Sequence, residues 1–454
     1  MRIHWVLLPT LFLILPLLAQ GIQDDSFKPY TDSPRLLLRP SRLRLLTRER
    51  ERQSIRFQQF DSYIANGAAL PEAGFALALA SRISGNATHC NNALAWLQKS
   101  KDADNRQRAL VLDWCAPSLT EAQVKALVEL AARSIAPITD ISSLRDRAFL
   151  GLALVDYKPE LAEKTLRDTI FYWRTKLAPG IRNSTPVPQD QVYALMELFH
   201  VIRDNLEVDL RQDAPQYFID LPLAQMLAYY PAPYPGPDNE FRVAFFTGDG
   251  DPDLKLAMML RAAELSIVAL DNNAELSQSL QGWLMQDRYL LRSAAGIPYE
   301  FLWANPYQPG LTYHHLPNSL HDKRTGKLFI RNSWEEEARY LVYHDGRIQL
   351  FEDGKRKLLK VSPNTPPIEM GDATILVGGQ DLIKHIQFEL HGTPHEAWYI
   401  IGLKPNTLFD VEIDDEELDE ARTDFGGILS LDFIRPTAKT GVRILPARLV
   451  KGTD

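Results

Sequence analysis

The hydrophobic rhythm of the chain changes once. From Leu70 to about Tyr289, apolar residues recur three and four positions apart, the period of amphipathic helices. In "PELAEKTLRDTIFYWRTKLAPG", Leu161, Leu166, Ile170 and Trp173 share a face, and Pro179-Gly180 predicts the stop. Similar faces run through "QDQVYALMELFHVIRDNL", "DLKLAMMLRAAELSIVAL" and "NAELSQSLQGWLMQDRYLL". Pro71 and Gly85 bracket one helix, and Ser118-x-x-Glu121 reads as a capping box. Upstream, "RLLLRPSRLRLLTRER" begins extended and turns helical after Pro40. About nine or ten helices follow one another with short polar connections and no fixed-length repeat. Beyond Gly310 the pattern alternates, as in "KLFIRNSW", "ARYLVYHDGRIQLFEDGKRKLLKVS" and "GVRILPARLV". His344-Asp345-Gly346 and Glu352-Asp353-Gly354 mark hairpin turns. Helices first and strands afterwards predict an α+β multidomain chain. Its parts are an N-terminal α/α toroid of helical hairpins over 33–305 and an antiparallel β-sandwich over 306–454.

The first residues belong to neither part. "MRIHWVLLPTLFLILPLLAQG" has Arg2, an apolar run from Trp5 to Leu18 and a small-x-small site at Ala19-Gln20-Gly21. The run is short against the ~20 residues of a bilayer span. The expectation is a signal peptide over 1–21, a secreted or periplasmic product, and no membrane contact after cleavage. Export permits a disulfide between the two cysteines, Cys90 and Cys115. They fall at the start and the end of a predicted helical hairpin, which brings those two places together. At 454 residues the chain suits two or three domains. With a net charge of −8 and no basic block interleaved with aromatics, nucleic acid is not an expected partner.

The longest break in the helical period is "YYPAPYPGPDNEFRVAFFTGDGDPD", residues 229–253, where Pro and Gly exclude a regular helix. Its aromatics, Tyr230 and Tyr234 among them, suit either a packed crossover or a binding surface. A second break, "TYHHLPNSLHDKRTG", lies where the period changes. Seven of the ten histidines lie beyond residue 310, and three of them are in this stretch. Histidine is the side chain most easily tuned near neutral pH.

The opening "SPRLLLRPSRLRLLTRER" resembles the entry of the heparinase II/III-like and alginate-lyase-like polysaccharide lyases. "NPYQPGLTYHHLPNSLHDKRTGKLFIRNSWEEEARYLVYHDG" resembles that group's crossover from toroid to sheet. Further on, "GLKPNTLFDVEI" resembles a fibronectin type III signature, with Phe409 in the place of its tyrosine. The first resemblance implies β-elimination on a uronate-containing polysaccharide. That chemistry needs a group offsetting the carboxylate, a base for the C5 proton and an acid for the leaving oxygen. Tyr313, His314, His315 and Arg324 supply those types, with Tyr230, Tyr234 and His321 as glycan contacts. The group's His-x-His-x-Asp-type motif has no counterpart in the strand region.

No zinc spacing, P-loop, dinucleotide fingerprint or G-x-S-x-G is present, so no cofactor or metal is expected. Asp249, Asp251 and Asp253 begin like a calcium loop, but Leu254 and Leu260 break the pattern. The acidic run from Asp410 to Asp424 reads as a solvated hairpin or a calcium site. Two other functions stay open. A non-catalytic carbohydrate-binding or scaffold protein could share the fold. A glycoside hydrolase would need two facing carboxylates, such as Asp249 or Asp251 with Glu300.

Overall fold

The helical period produces fourteen α-helices among the described residues: α1 (Pro40–Glu51), α2 (Ile55–Ala65), α3 (Ala73–Ser84), α4 (Ala87–Lys99), α5 (Asn105–Cys115), α6 (Glu121–Arg133), α7 (Ile141–Ala153), α8 (Pro159–Tyr172), α9 (Ala178–Arg182), α10 (Val192–Leu206), α11 (Pro215–Leu227), α12 (Leu254–Leu270), α13 (Glu275–Gln286) and α14 (Ile297–Trp303). The structure is a computed structural model. It describes residue 29 and residues 32–447, apart from 67–69, 234–244, 249–253, 287–295, 361, 363–364, 380–385, 391–396, 415 and 432–439. The proposed signal peptide, Tyr234, Asp249, Asp251 and Asp253 lie outside the described residues.

The helices close a ring. α3 packs on α5, α5 on α7, α7 on α10, α10 on α12, α12 on α14, α14 on α2, and α2 returns to α3. α4, α6, α8 and α13 lie against this inner set, so the arrangement is an α/α toroid. The Cys90–Cys115 disulfide joins α4 to the end of α5, with Cα atoms 5.4 Å apart. The capping box sits two residues later than expected: Thr120 caps α6 and Gln123 completes the box. The stop at Pro179-Gly180 is also displaced. A π-helical turn, Trp173–Leu177, resets the register so that Pro179 falls in the first turn of α9, which runs to Arg182.

Thirteen strands follow among the described residues: β1 (Ser319–Asp322), β2 (Lys327–Arg331), β3 (Tyr340–His344), β4 (Arg347–Glu352), β5 (Lys355–Lys360), β6 (Ile368–Met370), β7 (Ala373–Val377), β8 (Ile386–Leu390), β9 (Ala397–Ile401), β10 (Leu408–Ile413), β11 (Glu416–Arg422), β12 (Leu429–Ser430) and β13 (Thr440–Pro446). β1 to β5 form an antiparallel meander. Its two tight turns have positive φ at Asp345, Gly346, Asp353 and Gly354, the conformation those residues tolerate. The second sheet runs β12-β9-β7-β6 and the third β11-β10-β13-β8. The β7–β9 ladder is parallel, so the strand region is not wholly antiparallel as expected.

Alternation along each strand decides what lies between the layers. Leu328, Ile330, Leu341 and Tyr343 of the first sheet meet Ile375, Val377, Tyr399 and Ile401 of the second. On their other face, Leu376, Trp398 and Ile400 meet Phe409, Val411, Val442 and Ile444 of the third. The first sheet turns Phe329, Tyr340, Val342 and Phe351 into the helical core. The result is a stack of toroid and three sheets, in which the central strands β2 to β4, β7 and β9 are buried on both faces while β5 is largely exposed. Phe409, which replaces the signature tyrosine, is 2% exposed in the last of these cores. No helix among the described residues is long and apolar enough to cross a membrane.

Candidate active site

Residues 304–318 carry the chain from the ring to the first sheet as a strap laid across α13. Gly282 and Gly310 meet where the strap crosses; a Cβ on Gly282 would overlap the Leu311 carbonyl, and one on Gly310 would overlap Gly282. The Leu311 amide donates to the Gln278 carbonyl at 2.9 Å. Beyond this clamp the strap delivers Tyr313 and His314.

The two rings stack with centroids 4.5 Å apart and planes at 19°. Tyr313 lies edge-on to Trp334 at 5.5 Å, and its hydroxyl donates to Gln286 Oε1 at 3.0 Å. Burial pushes the Tyr313 phenol above its ordinary value, against the opposing pull of Arg331. At neutral pH it is therefore a proton donor. The His314 side chain is 43% exposed, with Nδ1 3.2 Å from Thr312 Oγ1 and Nε2 3.8 Å from Glu335. His315 turns elsewhere, its Nε2 3.9 Å from Glu275 at the start of α13. Adjacent residues of an extended segment point to opposite sides.

The cation beside Tyr313 is Arg331, the last residue of β2. Its guanidinium is buried 4.5 Å over Trp334 and donates to the Tyr229 carbonyl at 2.9 Å. Burial lowers it to about 10, still charged at neutral pH. Arg324, the cation expected from the sequence, lies in the β1–β2 turn. It pairs with Asp322 at 3.1 Å and covers Tyr217 at 5.1 Å, with Asp220 4.0 Å away. The signal for Arg331 was its place in "KLFIRNSW": alternation puts Phe329 and Arg331 on the helix-facing side. A carboxyl behind this site also escaped the sequence reading. Glu264, fully buried, accepts from the Tyr229 hydroxyl at 2.6 Å. Burial pushes it up to about 7, although Arg261 stands 3.4 Å away.

The other expected residues are dispersed. His321 sits on β1 beside Asp424, Nε2 to Oδ2 2.8 Å. The Asp424 carboxylate also accepts from the Gly426 and Ile428 amides at 2.9 Å, so the imidazole Nε2 carries the proton between them. That pair borders a separate cavity of about 560 Å³ with Lys323 and Arg422. Tyr230 is buried; its hydroxyl donates to Gln349 and its ring packs on Phe351 at 5.1 Å. His200 is a core histidine, its Nε2 2.9 Å from the Ser266 carbonyl. Among the described residues, no three His, Cys, Asp or Glu side chains gather as a metal site. The structure thus joins Tyr313, His314, Arg331 and Trp334, and separates from them His315, His321, Arg324 and Tyr230.

No family model and no curated protein matches the chain. Among solved structures it is similar to heparinase III, with 11% sequence identity, a TM-score of 0.42, and coverage of 82% of this chain and 76% of that one. It is also similar to a heparan sulfate lyase HepC mutant from Pedobacter heparinus, with 11% identity, a TM-score of 0.38, and coverage of 84% and 77%.

Proposed function

We propose that the protein is an exported, polysaccharide-active protein that performs β-elimination on uronate-containing glycans at the toroid–sheet junction. The Tyr313–His314 pair carries the reading: a buried phenol held protonated, stacked on an imidazole open to solvent. His314 takes the C5 proton. The C5 electron pair forms the C4–C5 double bond as the C4–O bond breaks, and Tyr313 protonates the leaving oxygen. Arg331 offsets developing negative charge from behind Trp334, through the field rather than by contact. His315, on the other side of the strap and half exposed, is free to meet the glycan beyond the stacked pair. Export is supported by Arg2, the apolar run and Ala19-Gln20-Gly21, and by the disulfide.

The test is ultraviolet detection of unsaturated uronate released from a panel of uronate polymers. Tyr313→Phe and His314→Ala should each lower the rate by about 10²-fold or more in folded protein. Unchanged rates in both would remove the pair from the chemistry. A second reading, a carbohydrate-binding protein without catalysis, is favoured by the way Asp322 holds Arg324 and Asp424 holds His321. Polymer binding without any unsaturated product would decide for it.

A further inference from the structure

A second cavity, of about 420 Å³, opens where α1 meets α12, α13 and the start of the strap. This volume is in the range of small-molecule sites, roughly 300–1,000 Å³. Arg42, Arg44 and Arg48 line it, and none of its lining residues is an Asp or Glu. In a chain of net charge −8, that concentration of one sign is notable.

The three arginines differ in state. Arg42 is a fixed wall: it donates to the Leu302 and Trp303 carbonyls at 2.9 and 2.8 Å and lies over the Trp303 ring at 5.1 Å. Arg44 and Arg48 are exposed and have no ion-pair partner among the described residues. The nearby carboxylate of α1, Glu49, is instead held by Arg56 at 3.6 Å and by the hydroxyl of the lining residue Tyr307 at 2.6 Å. Opposite the arginines stand the amides of Asn272, Asn305 and Gln308. Asn305 Oδ1 already accepts from the Tyr307 amide at 3.1 Å, and the Gln308 side chain donates to the Asn272 carbonyl at a long 3.5 Å; the Asn272 side chain and the Asn305 and Gln308 groups left over face the cavity. Guanidinium forks match carboxylate and sulfate oxygens, whereas amides can both donate to and accept from hydroxyls.

We propose that this cavity binds an anionic sugar, one bearing a carboxylate or a sulfate ester. The arginines take the anion and the amides take the ring hydroxyls. The assignment does not depend on the elimination chemistry, since a binding protein without catalysis would use the same site.

The test is calorimetric titration of the full mature chain with digalacturonate, a monosulfated lactose, unmodified lactose and inorganic sulfate. At least one anionic disaccharide should bind, with lactose at least about tenfold weaker. Arg44→Ala/Arg48→Ala should weaken that binding about tenfold or more, as for a lost charge-assisted contact. Because both side chains are exposed and unpaired, the variant should melt like the parent. Arg443→Ala, at the exposed rim of the third sheet, should leave the titration unchanged, and the ultraviolet assay run in parallel on the double variant reads elimination separately from binding here. Which disaccharide binds identifies the anion. Lactose binding as tightly as both anionic sugars, inorganic sulfate binding as tightly as the sulfated sugar, or the double variant retaining affinity within about twofold would each overturn the assignment.

Discussion

The toroid and the sheet stack bury charge in opposite ways. In the ring, Glu197 is 0% exposed and accepts from Arg106 at 2.7–2.9 Å and from Arg145 at 2.9 Å. The Arg106 guanidinium also lies 4.7 Å over Phe75. Glu264 and His200 are buried in the same ring. Apart from Arg331 on the helix-facing side and the His321–Asp424 pair beside β1, the sheet cores are lined by apolar and aromatic side chains, and a pair such as Arg443–Glu412, at 3.0 Å, stays 40% and 26% exposed at the rim. Geometry accounts for the contrast. An inward-facing residue of a ring meets several helices, so one carboxylate can be reached by arginines from two of them. Stacked sheets leave a gap of about 10 Å, filled by interdigitating side chains. The ring therefore depends on mutual satisfaction of charges, and the stack on shape.

Removing one member should hurt the ring most. Glu197→Gln leaves Arg106 and Arg145 buried without their shared counter-charge and should cost about 3–5 kcal/mol in urea unfolding. A loss under about 1 kcal/mol would erase the contrast between the two regions. Replacing Cys90 and Cys115 by Ser opens a crosslink with a sequence separation of 25 and should cost about 3 kcal/mol by the same assay. Glu264 sharpens the comparison through pH. Its folded value is raised to about 7 from an ordinary 4.5, so the folded chain holds a proton there that the unfolded chain has released. Its contribution to stability is present below about pH 4.5, falls as pH rises through about 7, and is flat above. Glu264→Gln should remove that slope, worth at most about 3 kcal/mol, from melting curves taken between those limits. A variant with an undiminished slope would show that Glu264 does not titrate there. Smallest of all, Arg443→Ala at the sheet rim should shift stability by no more than about 0.5 kcal/mol.

How much of this was legible depended on whether a feature is local. The ring follows from apolar faces repeated helix after helix, and the two hairpin turns from Asp-Gly placed between alternating strands. The β7–β9 pairing was hidden because "ATILV" and "AWYII" are apolar on both faces and say nothing of partner or direction. The capping box was misplaced because "SLTEAQ" offers Ser118 and Thr120 as rival caps. At the junction, Tyr313 and His314 stood out at the break in period. Arg331 did not, because Arg324 is the same residue type seven positions earlier, and only strand register tells which one faces the helices. Glu264 had a signal, a lone carboxylate in "MMLRAAELSIVAL", but the partner it required lay in a distant segment.

The clamp of Gly282 on Gly310 has a metrical consequence. Gln308 at the basic cavity and Tyr313 at the stacked pair are five peptide units apart, so they can lie no farther apart than about 18 Å. Because the strap is pinned midway, that interval cannot be taken up by slack in the chain. The molecule carries a fixed gauge between a place suited to grip charge and a place suited to move a proton. A polymer touching both would be measured off from its gripped unit, and the register of any cut would be set by the strap.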